Sequence, residues 1–486
     1  MSPLDWLLFI PAVSGAVLLG VTSASLAAWL NLAASAGTLW AAVALARQVL
    51  AQGAWYSAGG WFYLDAFSVF LVALTALVAF TTSAFSRPYL LNEVAKGRIT
   101  AGRLRLYHGV YQWFVLGMLV ALTSDNLGLL WIALEAATLA TVLLVSLYRT
   151  PDAILAAWRY LILCGVGIAL ALFGTILLFA AGSEVLGHGD EALRWSQLHL
   201  QAEALAPGLM LTAFVFFLVG YGTKVGLVPL HRWLPDAHAE GPTPISAVLS
   251  GLLLNVALYA LVRCKSLVDA SAPAGTTGSL MAAFAILTVS VAAVALHRQR
   301  DVKRFFSYSS IEHMGLMTLA FAIGTPLALF AGLLHMTVHA LVKSGIFFAV
   351  GHASQAMGGQ QIHRIRGLVH HHPALGWGLV VATLAIAGFP PFGLFTSEFL
   401  LFTAAVDTRP VLAAWLLLVL GVAFAGLLRQ VQPMAYGAPP ADARPVTVSL
   451  WPLYLHLAVA LWLGLSIPDF LADWYRQAAH LLGGAA

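Results

Sequence analysis

The stretch that decides the fold runs from Gly220 to Asn255 and reads GYGTKVGLVPLHRWLPDAHAEGPTPISAVLSGLLLN. It places one lysine, Lys224, among glycines in an apolar segment that breaks at Pro229. A lysine at the centre of a bilayer costs at least ~2.5–3.5 kcal/mol, so such a residue indicates a functional site. Helix breaks at membrane depth are tolerated where they line a cavity, and they often mark ion sites. The stretch therefore predicts a protonatable amine that faces an internal wet path.

The composition is that of a membrane protein. Of the 486 residues, 60% are hydrophobic and 9% are charged, whereas soluble domains carry about 25% charged residues. The net charge of +4 comes from basic residues in short loops rather than on one face, so no nucleic-acid partner is predicted. The two cysteines, Cys164 and Cys264, lie in or at the end of apolar segments. Two such cysteines support neither a disulfide framework nor a metal cage.

Hydropathy predicts an all-α, polytopic protein with a single membrane domain. A spanning helix needs ~20 mostly apolar residues, which gives about fourteen helices in this sequence. The predicted spans are 4–20, 25–46, 64–86, 108–123, 126–147, 160–181, 208–230, 243–263, 278–297, 305–322, 326–350, 374–404, 411–432 and 447–467.

Helices 7 and 12 are both broken by glycine and proline, at Gly220–Pro229 and at Gly388–Gly393 (GFPPFG). The two breaks lie five helices apart, and a repeat with an odd number of helices places its second copy upside down. We therefore predict that helices 4–8 (108–263) and helices 9–13 (278–432) form an inverted pair. Helices 1–3 (1–107) and helix 14 (447–467) lie outside the repeats. Paired breaks in two repeats point to a transport site.

Basic residues predict the orientation in the membrane. Most of the 24 Lys and Arg residues lie in loops after odd-numbered helices, such as 87–107 and 298–304. Because loops rich in Lys and Arg face the cytoplasm, both termini are expected on the outer, periplasmic side of the cytoplasmic (inner) membrane.

Ionisable residues occur inside the predicted spans, nearly one per helix. His335, His339 and Lys343 are spaced i, i+4 and i+8, so they share one helix face. Histidine titrates near neutral pH, and this stripe suits a proton relay. Zinc binding is the less favoured alternative because no glutamate follows His335, and interhelical hydrogen bonding is a third; no metal site is predicted. The full set is Glu135, Lys224, Glu312, His313, His335, His339, Lys343 and Glu398.

Two alternatives stay open for Glu135 and Lys224. They form either a static buried ion pair or a switch that loads and releases a proton. At ~4 Å and an effective dielectric constant of ~20, such a pair is worth ~4 kcal/mol, which is enough for a switch. Four further polar residues follow the broken helix and form either a water-accessible inlet to Lys224 or a capped loop. These residues are His231, Asp236, His238 and Glu240.

These residues make the chain resemble the proton-translocating, antiporter-like membrane subunits of respiratory complex I, Mrp-type sodium/proton antiporters and energy-converting hydrogenases. The resemblance covers nearly the whole chain and is most specific over helices 4–12. Within this family the sequence is most similar to the hydrogenase-4 component F branch, which belongs to formate hydrogenlyase-like group 4 nickel–iron hydrogenases. The matching stretches are WIALEAATL, GTKVGLVPLHRWLPDAHAEGPTPISAVLSG, DVKRFFSYSSIEHMG, HMTVHALVKSGIFF and GFPPFGLFTSEF.

The resemblance implies fourteen helices, two inverted five-helix repeats and a lateral polar axis at mid-membrane. It makes Glu135 the helix 5 glutamate, Lys224 the helix 7 lysine and Glu398 the terminal acid of helix 12. It also assigns His335, His339 and Lys343 to the helix 11 relay. One departure is Asn255, which stands where many relatives carry a lysine or histidine, so the central link is expected to rely on water.

The function implied is that of a proton-translocating subunit in a redox-driven complex. No catalytic residue and no cofactor is expected in this chain, and iron–sulfur and nickel–iron centres are expected in partner subunits of a hydrogenase or complex I-like assembly. Two alternatives remain: a sodium/proton antiporter subunit, and a structural scaffold whose polar residues only hold helices together.

Overall fold

The computed structural model describes residues 2–57, 59–438 and 449–483, and these residues are almost entirely helical. The first helices are α1 (Pro3–Gly20), α2 (Ala24–Gln52), α3 (Ala66–Ala95), α4 (Ala101–Thr123), α5 (Leu127–Val145), α6 (Pro151–Leu186), α7 (Trp195–Leu200), α8 (Pro207–Val225), α9 (Trp233–Glu240), α10 (Thr243–Val248) and α11 (Leu254–Ser271). The others are α12 (Thr276–Leu296), α13 (Val302–Ile323), α14 (Pro326–Ala356), α15 (Leu368–His371), α16 (Pro373–Ile386), α17 (Gly393–Thr408), α18 (Pro410–Tyr436), α19 (Trp451–Leu465) and α20 (Asp469–Gly483). A short antiparallel pair, β1 (Trp55–Tyr56) and β2 (Tyr63–Leu64), precedes α3.

The predicted all-α, polytopic membrane fold is confirmed. Within the described ranges, eleven helices are long and apolar enough to cross a membrane, or twelve if the bent pair α19–α20 forms one span. Glu312, His313 and several serines lower the hydropathy of α13, and predicted helix 12 is divided into the shorter α16 and α17. The predicted span 447–467 starts in residues outside the described part and continues as α19. The count of fourteen and the inverted repeats remain predictions.

Two elements form the buried centre. α14 packs against α3, α10, α13, α16, α17, α19 and α20. The apolar windows of α14 and of the segment Thr243–Ser271 are completely buried. Outer helices instead expose apolar side chains, for example Ile162 and Val166 on α6 and Leu418 on α18. A hydrocarbon solvent accepts such side chains, so the polar groups of the central helices are the ones shielded from lipid.

Both predicted breaks are present. α8 ends at Val225, five residues before the predicted end of helix 7, and Gly226 takes the left-handed conformation at φ +88°. The backbone N–H of Leu227 then donates to the Gly222 carbonyl at 2.9 Å, which closes the helix end. In the second half, Gly388 has φ +66° in the gap between α16 and α17. Each break therefore ends a helix beside a predicted site residue.

Several helices extend beyond their predicted spans. α3 continues to Ala95 rather than 86, with Pro88 inside it, and α6 starts at Pro151 rather than 160. α4 likewise starts at Ala101 rather than 108. Hydropathy marks the part of a helix that lipid surrounds, whereas the backbone hydrogen bonds continue into the polar surface layer. Glu93, which sequence reasoning placed in a loop, consequently lies on a helix.

Candidate functional site

Lys224 lies in the last turn of α8 and is completely buried. Its Nζ donates to the Thr138 hydroxyl of α5 and, at 3.2 Å, to the Tyr160 hydroxyl of α6. The amine also lies 4.9 Å from the centre of the Tyr160 ring, and Trp233 stacks on that ring at 4.6 Å. Two hydroxyls and an aromatic face thus replace part of the hydration shell of the ammonium group. The break in α8 positions the amine at this junction of three helices.

The direct contact between Glu135 and Lys224 at ~4 Å is not formed. Lys224 bonds instead to Thr138, one helical turn after Glu135 on α5. Glu135 is half-buried, and its Oε2 is buried without a hydrogen-bond partner among the described residues. The two charges still attract each other at longer range. Thr138 interacts with both Lys224 and Glu135, so its hydroxyl lies between the amine and the carboxylate.

Helices α13, α14 and α17 bring three predicted site residues together. His313 Nδ1 and His335 Nε2 share a hydrogen bond of 3.0 Å, and His335 Nδ1 lies 3.0 Å from the Ser397 hydroxyl. Glu398 Oε1 is 3.9 Å from His313 Nδ1. The chain of contacts runs from one helix to the next through groups that can each both accept and donate a proton. This is the geometry of a relay, and Ser397 was not predicted to belong to it.

The three groups also have donor types that bind zinc. The ligand atoms of His313, His335 and Glu398 all lie within 4.8 Å of one another. However, both ring nitrogens of His335 already have partners, and the 3.0 Å spacing between the imidazoles is that of a hydrogen bond. A metal would have to replace that bond. The relay and the absence of a metal both remain predictions.

His339 and Lys343 continue the stripe along α14. The His339 ring lies 5.4 Å from that of His313 and 6.3 Å from that of His335, centre to centre. Both His339 nitrogens are buried with no hydrogen-bond partner in the described ranges. Lys343 Nζ donates to the Phe306 carbonyl at 3.0 Å, and Glu312 Oε2 is buried and equally unpartnered. The predicted common face is thus present, but no hydrogen bond joins His339 or Lys343 to its other members in the described ranges.

Asn255 lies between the two halves of this set. Its Nδ2 donates to Gly251 at 3.1 Å and makes a marginal contact of 3.5 Å with the Met336 carbonyl of α14. Its Oδ1 is buried with no hydrogen-bond partner in the part of the chain that the structure describes. The preceding segment, Leu249–Leu253, is a π-helix, a form frequent at functional sites. Asn255 therefore keeps an unused acceptor at the position of the missing relay residue.

The four predicted inlet residues do not form one group. Asp236 pairs with Arg159 at 2.8 Å and with Arg304 at 2.7 Å, so it connects α9 to α6 and α13. His231 faces the Tyr308 ring. His238 is completely buried, and Glu240 lines a cavity. Asp236 thus holds the loop in place and Glu240 reaches the cavity, whereas His238 is enclosed; both the inlet to Lys224 and the capped loop remain predictions.

Sequence reasoning missed Thr138, Tyr160 and Glu93. The two hydroxyl residues carry no charge and have no motif of their own, so only the packing of α5 and α6 on α8 identifies them. Glu93 did have a signal in the sequence, because it is an acidic residue that follows the apolar part of a span by eight residues. It lies on a helix because α3 extends past Pro88.

Comparisons with known proteins identify the family of this chain. Residues 124–425 match the family described as NADH:quinone oxidoreductase/Mrp antiporter, TM. The hydrogenase-4 component F homolog of Methylacidiphilum infernorum is 47% identical over 424 residues, which cover 87% of this chain and 89% of that protein. NADH-quinone oxidoreductase subunit N of Desulforudis audaxviator is 32% identical, over 74% of this chain and 71% of that one.

The fold also matches a solved structure. A chain of the membrane-bound sulfane sulfur reductase, an archaeal respiratory membrane complex, superposes with a TM-score of 0.87 at 23% identity, over 99% of this chain and 97% of that one. At that sequence identity the structural likeness shows the fold alone. The family is shown by the sequence matches, which cover most of the chain. This chain therefore belongs to the NADH:quinone oxidoreductase/Mrp antiporter family of transmembrane proteins.

Proposed function

We propose that this chain is the proton-translocating membrane subunit of a redox-driven, multi-subunit complex of the hydrogenase-4 type. The observation that carries the proposal is the imidazole pair His313–His335, which joins α13 to α14 and continues to Glu398 on α17. Buried ionisable groups at membrane depth are costly, so a row of them in mutual contact points to ion movement. Lys224 and Glu135 extend the row into the first half of the chain.

The unpartnered polar atoms argue against a purely structural scaffold. Buried polar groups that hold helices together have hydrogen-bond partners. Both ring nitrogens of His339, by contrast, have no hydrogen-bond partner within the described ranges. Glu312 and Asn255 each have one acceptor oxygen there without a hydrogen bond. Ordered water in these gaps would supply the missing hydrogen bonds and connect the row. This is the arrangement needed for proton transfer between side chains that do not touch directly.

The relatives indicate where the driving reaction takes place. Their names are those of components of a hydrogenase and of an NADH-quinone oxidoreductase. We infer that this chain likewise assembles with membrane and peripheral subunits, and that iron–sulfur and nickel–iron centres lie in those partners. The loops rich in Lys and Arg support a position in the cytoplasmic membrane with both termini of the given sequence on the periplasmic side.

A sodium/proton antiporter subunit is the second candidate, because the matched family includes Mrp antiporters. The site favours protons over sodium. Sodium prefers oxygen ligands, whereas the central contacts of this row are made by imidazole nitrogens and an amine. A sodium/proton antiporter also moves protons, so the His313–His335 bond fits both candidates, and a dependence of proton uptake on Na⁺ separates them.

The test uses the purified complex reconstituted in vesicles, with proton uptake measured by a pH-sensitive dye and divided by the electron-transfer rate. Lys343→Ala should abolish uptake per electron while the complex still assembles. Lys265→Ala is the matched control, since this lysine pairs with Asp269 at a helix end away from the row. Unchanged uptake in Lys343→Ala would refute the proposal, and uptake that requires Na⁺ would favour the antiporter.

A further inference from the structure

A cavity of about 530 Å³ lies near the C-terminal ends of α3 and α14. Its lining contains three carboxylates, those of Glu93, Glu240 and Asp301, and one guanidinium, that of Arg98. The segments around it are those that the distribution of Lys and Arg predicts on the cytoplasmic side. A concave site with an excess of negative charge raises the local concentration of cations. The cavity is therefore suited to collect positive charge from water.

Glu93 is the buried carboxylate of this cavity, with 1% of its surface exposed. Its Oε1 accepts hydrogen bonds from Gln355 Nε2 at 2.8 Å and from Arg98 at 3.5 Å. Its Oε2 is buried and makes no hydrogen bond of normal geometry in the described ranges, and the Tyr148 hydroxyl of the same cavity interacts with the carboxylate. A buried carboxylate oxygen without a hydrogen bond is unfavourable. A proton or a proton-donating water in the adjoining cavity would satisfy it.

Lys303 lies beside the cavity and is almost fully buried. Its Nζ donates to the Gly241 carbonyl at 2.6 Å, one residue after Glu240. The amine attracts the carboxylates of Asp301, Glu240 and Glu93. The three carboxylates of the cavity and the Lys303 amine thus form one group of interacting charges.

His238 connects this group to the row of site residues. It is completely buried, stacks on Phe347 of α14 at 4.9 Å and lies within electrostatic range of both Lys303 and Lys343. Neither of its ring nitrogens has a hydrogen-bond partner in the part of the chain described. An imidazole between two amines, with both nitrogens unused, can receive a proton on one side and release it on the other.

We propose that this cavity is the proton inlet of the chain and that Glu93 is the carboxylate that accepts the proton, an assignment that rests on the proposed function. A hydronium ion in the cavity transfers its proton to Glu93 Oε2 and becomes water. The proton then passes through water, Lys303 and His238 to Lys343. Glu93 lies on α3, outside the residues 124–425 that match the family. The inlet thus joins a helix from outside the matched region to the end of α14.

The experiment measures proton uptake per electron in vesicles that contain the whole complex, with and without Na⁺. Glu93→Gln should lower proton uptake per electron roughly tenfold. This loss is smaller than the ~10²–10⁴-fold that a positioned proton-transfer group contributes, because water still reaches the cavity. Glu93→Asp should recover most of the uptake, since it restores a carboxylate. Glu184→Gln is the control and should behave like the unsubstituted protein, because it removes an exposed carboxylate on α6 outside the cavity lining.

Gln355→Ala separates proton transfer from a structural role, since it removes the hydrogen bond to Glu93 but keeps the carboxylate. A loss of proton uptake in Gln355→Ala that is smaller than the loss in Glu93→Gln supports the proposal. An equal loss of proton uptake overturns it. Normal uptake in Glu93→Gln beside lost uptake in Lys343→Ala would overturn the inlet and leave the proposed function standing. Normal uptake in both variants would overturn the proposed function as well. A defect that appears only with Na⁺ would assign Glu93 to sodium and overturn the proton assignment.

Discussion

His313 Nδ1 and His335 Nε2 lie 3.0 Å apart across the contact of α13 and α14, with the Ser397 hydroxyl on the far side of His335. The two imidazoles are joined by one hydrogen bond, and the Ser397 hydroxyl contacts the other ring nitrogen of His335. This contact joins α13 to α14, and α13 also reaches the break after Lys224, where Ile311 lies beside Gly226. It links two titratable groups of the second half of the chain, whereas His339 has no hydrogen-bond partner in the described ranges.

His335→Gln should interrupt this contact. The amide keeps polarity and approximate size but does not take up a proton near neutral pH, so uptake per electron should fall ~10²-fold or more. The complex should still assemble. Ser397→Ala is the matched comparison, because it removes only the group that orients His335, and it should cause a smaller loss. A normal proton-to-electron ratio in His335→Gln would contradict the relay.

Gly388→Ala should displace Glu398. A Cβ at Gly388 would lie 2.1 Å from Glu398 Oε2, and the φ of +66° disfavours any L-residue by roughly 1–2 kcal/mol. We expect impaired translocation from a complex of nearly normal yield. Gly421→Ala on α18 is the control, because nothing lies within 4 Å of its added Cβ. Equal activity of both variants would show that the position of Glu398 is unimportant.

Asn255 is expected to hold water. Asn255→Leu should block turnover, since a leucine fills the site and removes the unused Oδ1 acceptor. Asn255→Lys should assemble, because a wet polar site holds a cation at lower cost than lipid does. Complex yield and proton uptake of the two variants are to be compared. Failure of the lysine variant to assemble, beside an active leucine variant, would mean that the site is dry.

The ion pair between Asp65 and Arg263 should stabilise the fold without taking part in transport. Arg263 lies 2.6 Å from Asp65 with both side chains buried, and its guanidinium lies 4.4 Å from the centre of the Trp195 ring. Arg263→Met leaves an unpaired buried carboxylate and should cost ~3–5 kcal/mol. The double variant with Asp65→Asn should recover much of that loss. Thermal unfolding of the complex measures both, and a loss of proton coupling at full stability would contradict a structural role.

The sequence by itself determined the membrane class, the approximate spans, the two breaks and the ionisable residues of the row. Each of these depends on local chemistry: hydropathy along one helix, the conformational freedom of Gly226 and Gly388, or the type of a side chain. The spacing of His335, His339 and Lys343 was enough to place them on one face of α14.

Only the tertiary structure decided which groups meet. The rotation of each helix about its axis depends on packing against its neighbours, so Lys224 meets Thr138 and Tyr160 rather than Glu135. Glu93 reaches the cavity because α3 remains helical beyond its apolar part. Hydropathy does not predict where the helix ends there, because the backbone hydrogen bonds determine its end.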